Sequence, residues 1–311
     1  MVTCNNSSAS ASAEADATLR ERIVCFMQGA SIGITPADAR YIPQLTELLP
    51  RRTEVYIAHT ARTTLNQVLR TALAVQRAGL VACPHIVARR IDHSSTFRRA
   101  IDDLLAGGIE QILLVAGDSH QAAGPFRDTS DMLTNYPIAN LSIKKIGVAC
   151  HPEGHKSIGK ATLWNALRAK QEFAKRSGLN MHLVSQFSLH ANTLQEWETE
   201  LARHGILLPL RAGIAGPIPL SKLVKFAMLC GVGASLRGTT LSFNTGGAVR
   251  PLATHPDQHV MRIMQLPLAT HIVAPHFFTL GATITTARWI KRVLTGEFDI
   301  DPGGSHFSVE S

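Results

Sequence analysis

Ile112-Leu113-Leu114-Val115-Ala116 is a short apolar run, and Gly117 and Asp118 follow it directly. The run has the length and the branched side chains of a buried strand. Asp118 is therefore expected where a strand ends and a loop begins. In parallel α/β proteins, ligands and catalytic groups gather at that end of the strands. The segment predicts a buried parallel strand with a functional carboxylate at its C-terminal end.

Similar apolar runs alternate with helical stretches on both sides of this segment. Glycines that tolerate the left-handed conformation are expected where a helix ends before the next strand, and they are Gly79, Gly108, Gly178 and Gly205. The expected strands are 30–34, 55–58, 81–87, 112–116, 146–150, 181–187, 207–213 and 271–278. The expected helices are 36–49, 64–78, 94–106, a weak helix near Asp131, 161–176, 193–204, 221–230 and 283–294.

Eight strand–helix units in a chain of 311 residues predict a single (β/α)₈ barrel. The main competing fold is an open doubly wound sheet, which would carry a G-x-G-x-x-G phosphate-binding pattern after its first strand. The nearest glycine pair here, Gly213 and Gly216, instead follows the seventh expected strand. We expect the barrel to span residues 19–311, with a disordered leader over 1–18 and a polar, glycine-containing insertion near 231–268.

The composition narrows the class of protein. Charged residues make up 17% of the chain, below the roughly 25% that is typical, so much of the chain must be buried. No apolar stretch reaches the roughly 18 residues needed to span a bilayer. Five scattered cysteines without a C-x-x-C pair favour a reducing, cytoplasmic setting. The net charge of +8 comes without a basic, aromatic-rich stripe, which argues against nucleic acid and fits anionic small molecules.

The C-terminal ends of all eight strands of a barrel share one face. The residues expected on that face form a polar rim above an apolar barrel. Such a rim suits a flat polar heterocycle together with a phosphate-bearing cofactor. Its candidate functional residues are His59, His85, Gly117, Asp118, His151, Glu153, His155, Gln186 and Phe278.

Several of these residues also have a structural interpretation. Asp118 could cap the next helix, and His85 could be a packed histidine bonded to the backbone. Gln186 favours a functional role, because an amide at a strand end rarely serves packing. The loop 151–155 has a His-x-Glu-x-His spacing that suggests metal ligands, but its proline and glycine indicate a stiff turn. We therefore expect cofactor contact and no metal there.

Three further residues are expected to have no chemical role. Cys150 lies beside a histidine, but no G-x-S-x-G pattern supports a nucleophile. Lys170 and Lys175 are on the expected helix 161–176, and we expect both on its solvated face.

Six blocks of the sequence, spread over about residues 30–295, resemble the methylenetetrahydrofolate reductase family. That family consists of flavin-dependent folate enzymes built on a (β/α)₈ barrel. The Gly-Asp, Pro-Glu-x-His and Gln-Phe blocks are fairly specific in combination. The blocks are Pro84-His85-Ile86, Gly108-Ile109 with Leu114 to Asp118, Ala149 to His155, Ser185-Gln186-Phe187, Gly213-Ile214 with Pro217, and His276 to Leu280.

The resemblance implies an activity and roles for individual residues. It implies interconversion of 5,10-methylenetetrahydrofolate and 5-methyltetrahydrofolate, with hydride passing between NADH or NADPH, FAD and the folate. It assigns Asp118 to the pterin and to a cationic iminium intermediate, Gln186 to the pterin, and Phe278 to ring stacking. It assigns the flavin site to the remaining rim residues, which are His59, His85, Gly117, His151, Glu153 and His155.

The sequence departs from the family pattern at three positions. Gly33 stands where the family has a glutamate that acts as general acid. Ala116 replaces an arginine, and His151 replaces a tyrosine, at positions that contribute to flavin binding. Two alternatives therefore stay open: a tetrahydrofolate-linked methyl transfer or demethylation enzyme, and a catalytically impaired folate-binding protein. The sequence leaves the direction of reaction open and is compatible with a homo-oligomer.

Overall fold

The structure, a computed structural model, describes residues 18–134, 136, 138, 141–155, 157–232, 255–266 and 270–309. Eight parallel strands form a closed barrel, in which each strand pairs with the next and the eighth pairs with the first. The predicted (β/α)₈ barrel is confirmed. Its strands are β1 Ser31–Ile34, β2 Glu54–Ile57, β3 Val81–Val87, β4 Gln111–Val115, β5 Lys145–Cys150, β6 Asn180–Ser185, β7 Leu210–Ala215 and β8 Ile272–Phe278.

Helices follow the strands and form the outer layer. Helix α1, residues 18–28, precedes the barrel, and a short 3₁₀ turn, Pro36–Tyr41, leads into α2. A small hairpin, β9 Asp299–Ile300 and β10 Phe307–Ser308, follows the last helix. The helices after α1 are α2 Ile42–Leu48, α3 Leu65–Arg77, α4 Ser94–Ala106, α5 Thr129–Thr134, α6 Lys160–Ser177, α7 Thr193–Arg203, α8 Leu220–Cys230, α9 Pro256–Met264 and α10 Thr283–Leu294. In the described residues no helix is both long and apolar enough to cross a membrane.

Some boundaries and elements differ from the sequence prediction. Strand β7 begins at Leu210 rather than at residue 207, because Pro209 has no N–H for the ladder and Leu207 is exposed. Helix α1, helix α9 and the hairpin were not predicted. Helix α9 lies inside the expected insertion, but residues 233–254 and 267–269 of that insertion lie outside the described residues. Residues 1–17 of the expected leader also lie outside them, and Thr18 begins α1.

The outer core forms where the helices cover the strands. Helix α3 shows the pattern: Val68, Ala72 and Val75 recur at helical spacing and are buried. A capping box between Thr64 and Gln67 begins this helix, with Gln67 N–H donating to the Thr64 hydroxyl at 3.3 Å. The glycines predicted to end helices all have positive φ, and Gly178 at φ 68° bonds back to Ala174 O.

Lys170 was predicted to be on a solvated helix face, and this prediction is wrong. The lysine is only 8% exposed. It lies three residues after Leu167 and four before Ala174, which places it on the buried stripe of α6. Burial lowers the pKa of Lys170, and the neighbouring Cys150 partly offsets that effect. Lys175 is exposed, as predicted.

The inside of the barrel is unusually polar. Glu54 lies at the start of β2 and accepts from Lys145 Nζ at 2.6 Å and from Arg211 Nη2 at 2.8 Å. Above this triad, the Tyr56 hydroxyl lies 2.9 Å from Nε2 of His182. Charges that are removed from water are stable only when they are paired. In this three-residue cluster the Glu54 carboxylate pairs with both cations at the N-terminal end of the barrel.

Two interior glycines make room for two imidazoles. A Cβ atom at Gly147 would lie 3.0 Å from Nε2 of His182, and one at Gly33 would lie 3.3 Å from Nε2 of His276. Both distances are shorter than most side-chain contacts, so larger residues would press on the rings. The missing side chains therefore let histidines fill the middle layer of the barrel.

Candidate active site

A cavity of about 560 Å³ opens at the C-terminal ends of the strands. Its volume falls within the usual range for small-molecule sites, roughly 300–1,000 Å³. The cavity brings together eight of the nine residues predicted from the sequence. They are His59, His85, Gly117, Asp118, His151, His155, Gln186 and Phe278.

Glu153 is the predicted residue that does not line this cavity. Its carboxylate Oε1 accepts a hydrogen bond from the backbone N–H of Leu189 at 3.2 Å. That bond joins the loop after β5 to the loop after β6. Glu153 therefore stabilises the shape of the site from outside it.

Asp118 is placed by a tight backbone turn at the end of β4. Gly117 has φ 95°, and a Cβ atom on it would lie 2.6 Å from Cγ1 of Val87. Only glycine satisfies both conditions without strain. Among the described residues that line the cavity, Asp118 is the one carboxylate. Its negative charge also raises the pKa of His151, but burial and the neighbouring His155 and Lys170 lower that pKa by more.

Three histidines of the cavity, His59, His85 and His151, are uncharged at neutral pH. Burial lowers the pKa of His85 to about 3. Burial and then the Arg90 guanidinium lower the pKa of His59 to about 4. Burial, followed by His155, lowers the pKa of His151 to about 4. These three rings therefore offer neutral hydrogen-bonding groups to a ligand, and Asp118 supplies the one carboxylate among the described lining residues.

Two ring nitrogens at this wall have no hydrogen-bond partner within the described part of the chain. They are Nδ1 of His59 and Nε2 of His85, and both atoms are buried. An unpaired buried polar atom is costly, so such atoms usually bind water or a ligand. Both atoms are on the β2–β3 side of the cavity, so we expect polar atoms of a ligand to bind on that side.

Gln186 lies on the other side, just beyond β6. Its backbone N–H donates to Cys150 O at 2.9 Å, and its side-chain Oε1 accepts from Phe187 N–H at 3.1 Å. A Cβ atom at Gly213 would lie 2.2 Å from Ser185 O, so this glycine is needed for the close approach of β7 to β6. The Phe278 ring lines the cavity and packs 5.4 Å from the buried ring of Phe187.

Sequence reasoning missed two arginines of the cavity, Arg89 and Arg90, which follow β3. Arg89 Nη1 donates to Ser119 O at 2.9 Å, and its Nε donates to Arg127 O at 2.7 Å. Arg90 Nη1 donates to the carbonyl of Thr60. The guanidinium groups thus hold the loops after β2 and β4. Their place directly after a strand was the available signal.

His276 was also missed as a cavity residue, although it lies in one of the matching blocks. It was not predicted as a cavity residue because it lies inside the apolar run that forms β8. Strand alternation was the available signal, because it puts His276 on the same interior face as Phe278. Its ring packs 4.9 Å from Phe278 and 4.6 Å from Tyr56.

The Cys150 thiol is poorly suited to nucleophilic catalysis. Burial raises the pKa of the Cys150 thiol to about 12, so it stays protonated and is a poor nucleophile. Within the described residues no group of three or more His, Cys, Asp or Glu side chains is arranged to hold a metal ion. The arrangement suits a flat heterocycle that gains positive charge beside Asp118.

Comparison with known proteins places the chain in a family. Residues 40–236, more than half of the chain, match the family model described as Methylenetetrahydrofolate reductase. A solved structure, a conserved protein from Enterococcus faecalis with an unknown function, is similar at 11% identity and a TM-score of 0.42. The match covers 85% of this chain and 65% of that chain, less than two thirds of its length. On the family match, this chain belongs to the methylenetetrahydrofolate reductase family.

Proposed function

We propose that this protein interconverts 5,10-methylenetetrahydrofolate and 5-methyltetrahydrofolate, with NADH or NADPH and FAD as the hydride carriers. The observation that carries the proposal is the position of Asp118. It is the one carboxylate among the described lining residues of a cavity in which His59, His85 and His151 are uncharged. A carboxylate beside the place where positive charge develops on a ligand stabilises that charge.

The chemistry of the folate supplies that cation. Opening the five-membered ring of 5,10-methylenetetrahydrofolate leaves a positively charged iminium at N5, which then accepts a hydride. Asp118 would stabilise this charge and orient the pterin. Gln186 and Phe278 would contact the pterin on the opposite wall, the first by hydrogen bonds and the second by stacking on the ring.

The residues present fit a flavin on the β2–β3 side. The unpartnered Nδ1 of His59 and Nε2 of His85 offer two groups to the edge of a polar ring system. Gly117, His151 and His155 border the same cavity. FAD, when bound there, would supply hydride transfer between the nicotinamide and the folate. Glu153 would act indirectly, by holding the loop that carries His151 and His155.

A folate-binding protein without hydride transfer is the second candidate. The observation that favours it is Gly33, which has no group to protonate the folate amine when its ring opens. Under this candidate the cavity and Asp118 would still bind reduced folate. Turnover of NADH would be absent.

An absorbance spectrum of the purified protein, followed by two assays, tests the proposal. We expect flavin absorbance, NADH oxidation with menadione, and NADH oxidation with 5,10-methylenetetrahydrofolate. A colourless protein that binds tetrahydrofolate but oxidises no NADH would support the second candidate. A protein that neither binds a reduced folate nor oxidises NADH would contradict both.

A further inference from the structure

The imidazole of His276 lies on the floor of the cavity, over Gly33. It lines the cavity, and its Nε2 is the nearest atom to the place that a Gly33 side chain would occupy. Gly33 and His276 are on adjacent strands, β1 and β8, that close the barrel. The histidine ring therefore stands where the family glutamate would reach into the site.

A chain of hydrogen bonds holds the far side of this ring. Ser31 Oγ lies 3.0 Å from Nδ1 of His276. Arg211 Nη1 lies 3.4 Å from the same Oγ and can only donate to it. Arg211 is itself held by Glu54 at 2.8 Å and donates to Gly29 O at 2.8 Å. With Arg211 donating to Ser31, the serine hydroxyl is free to donate its own proton to Nδ1.

We propose that Arg211 and Ser31 fix His276 as the Nε2–H tautomer, which gives the cavity a hydrogen-bond donor aimed at an acceptor atom of the bound pterin. The donor position rests on geometry alone, whereas the pterin as its ligand rests on the proposed function. No proton is transferred in this interaction. His276 is a ligand-binding residue, and Ser31 and Arg211 are positioning residues.

The surroundings of the ring keep this arrangement in place. Burial, followed by the nearby groups His85, Arg211 and His182, lowers the pKa of His276 well below its ordinary value. The ring is therefore uncharged at neutral pH and carries one proton. Since Nδ1 accepts from Ser31, that proton resides on Nε2. Tyr56, edge-on at 4.6 Å, restricts rotation of the ring.

The Nε2–H group has a specific use in this family member. A hydrogen bond to a pterin nitrogen or carbonyl oxygen would fix the ring in its plane beside Asp118. It would also replace part of the ligand contact that is lost because this chain has Gly33 where the family has a glutamate. It would not replace the acid.

Nitrogen-15 NMR of histidine-labelled protein tests the tautomer directly, and it needs no ligand. His276→Phe, which keeps a flat ring, identifies the His276 signals by their loss. We expect the shifts of the Nε2–H tautomer at pH 7 in the wild type, and a mixture of tautomers in Ser31→Ala. The inference would be overturned by a wild-type Nδ1–H tautomer, in which the Ser31 hydroxyl turns to Pro275 O at 3.4 Å.

Tetrahydrofolate binding, measured by calorimetry, tests the ligand. His276→Phe should weaken binding about 10-fold or more, because a donor is lost from a buried site. His276→Gln should recover most of the affinity, because the glutamine side chain carries an N–H the same number of bonds from Cα as Nε2 of histidine. His182→Gln is the matched control, because His182 is in the same interior layer and binds Tyr56.

The outcomes separate this inference from the proposed function. Wild-type protein that fails to bind tetrahydrofolate would contradict the proposed function, while the tautomer measurement would still decide the inference. Wild-type binding that His276→Phe leaves unchanged would overturn the inference and leave the proposed function standing. A folded His276→Phe variant, judged by its circular dichroism, is needed for either comparison; His276→Gln provides the same test if the phenylalanine variant unfolds.

Discussion

Nε2 of His276 would lie 3.3 Å from a Cβ atom placed on Gly33. The space above this glycine is therefore already filled by a ring that Ser31 holds at 3.0 Å. Restoring the family glutamate by Gly33→Glu must displace that ring. We expect the single variant to lose about 1–3 kcal/mol of unfolding free energy through overpacking and to gain no activity. Urea denaturation and the NADH–methylenetetrahydrofolate assay measure the two effects.

A second substitution provides the control for this prediction. His276→Gly removes the ring, so the double variant Gly33→Glu/His276→Gly has space for the carboxylate. It should regain stability relative to Gly33→Glu alone. A single Gly33→Glu variant as stable as the wild type would show that the ring moves freely, contrary to the contacts found.

Asp118→Asn should slow the folate half-reaction about 10²–10³-fold, because it removes the charge that faces the iminium while keeping the shape of the side chain. Reduction of the flavin by NADH should change much less. Stopped-flow measurement of the two half-reactions separates the effects. Asp103→Asn, the same change on the exposed face of α4, is the control and should leave both rates unaltered. Equal slowing of both half-reactions would remove Asp118 from its proposed role.

Glu54→Gln should destabilise the fold strongly. The carboxylate pairs with both Lys145 and Arg211 inside the barrel, where the three side chains are partly buried. Breaking a fully buried pair costs about 3–5 kcal/mol, and the partial exposure should bring the loss here toward the lower end of that range. Glu110→Gln is the matched control. Its partner Lys144 is exposed, so the loss there should be about 0–1 kcal/mol. Equal losses in urea denaturation would mean that the interior triad is not well isolated from water.

Stability should fall in mild acid. The pKa of His59 and of His151 is lowered to about 4, and that of His85 and of His182 to about 3, in each case mainly by burial. In the unfolded chain these groups titrate near pH 6.5. Below pH 6.5 the unfolded state therefore binds more protons, and the unfolding free energy decreases as pH falls toward 4. Above pH 7 these groups should add no pH dependence.

Each such histidine contributes up to about 1.4 kcal/mol per pH unit in that window. Urea denaturation at pH 7.5, 6.0 and 5.0 measures the slope. His85→Gln should make the slope shallower, whereas His93→Gln at an exposed position should not. A flat profile between pH 7.5 and 5.0 would contradict the burial of these rings.

Lys170→Met should be neutral or stabilising by about 1 kcal/mol or more, because methionine fills the space of the aliphatic stem without a buried ammonium group. Lys175→Met on the exposed face of the same helix should change stability by less than about 0.5 kcal/mol. Thermal unfolding compares the two variants. A clear loss of stability in Lys170→Met would show that the buried ammonium group makes favourable bonds.

The sequence predicted the barrel because its signal is local and repeated. Each strand is a short apolar run, each helix has its own periodicity, and eight such units can close in few ways. The rim residues were predicted for the same reason. Asp118 and Gln186 each lie just beyond a strand end, and a closed barrel brings all such ends to one face.

The sequence did not reveal the polar interior, because its partners are far apart along the chain. Ser31 and His276 are separated by 245 residues and become hydrogen-bonded only when β1 and β8 meet. In the sequence, Gly33 indicated only a missing acid. The tertiary structure shows that the imidazole of His276 lies beside this glycine.

The amino-acid order by itself determined the fold, the polar rim at the C-terminal ends of the strands and the family to which the chain belongs. Only the tertiary structure decided that Lys170 is buried and that Glu153 holds a loop. Closure of the barrel also decided that His276 occupies the floor of the site. The physical reason is that burial and hydrogen bonding depend on which distant side chains share one small volume, whereas strand and helix formation depend mainly on neighbours in sequence.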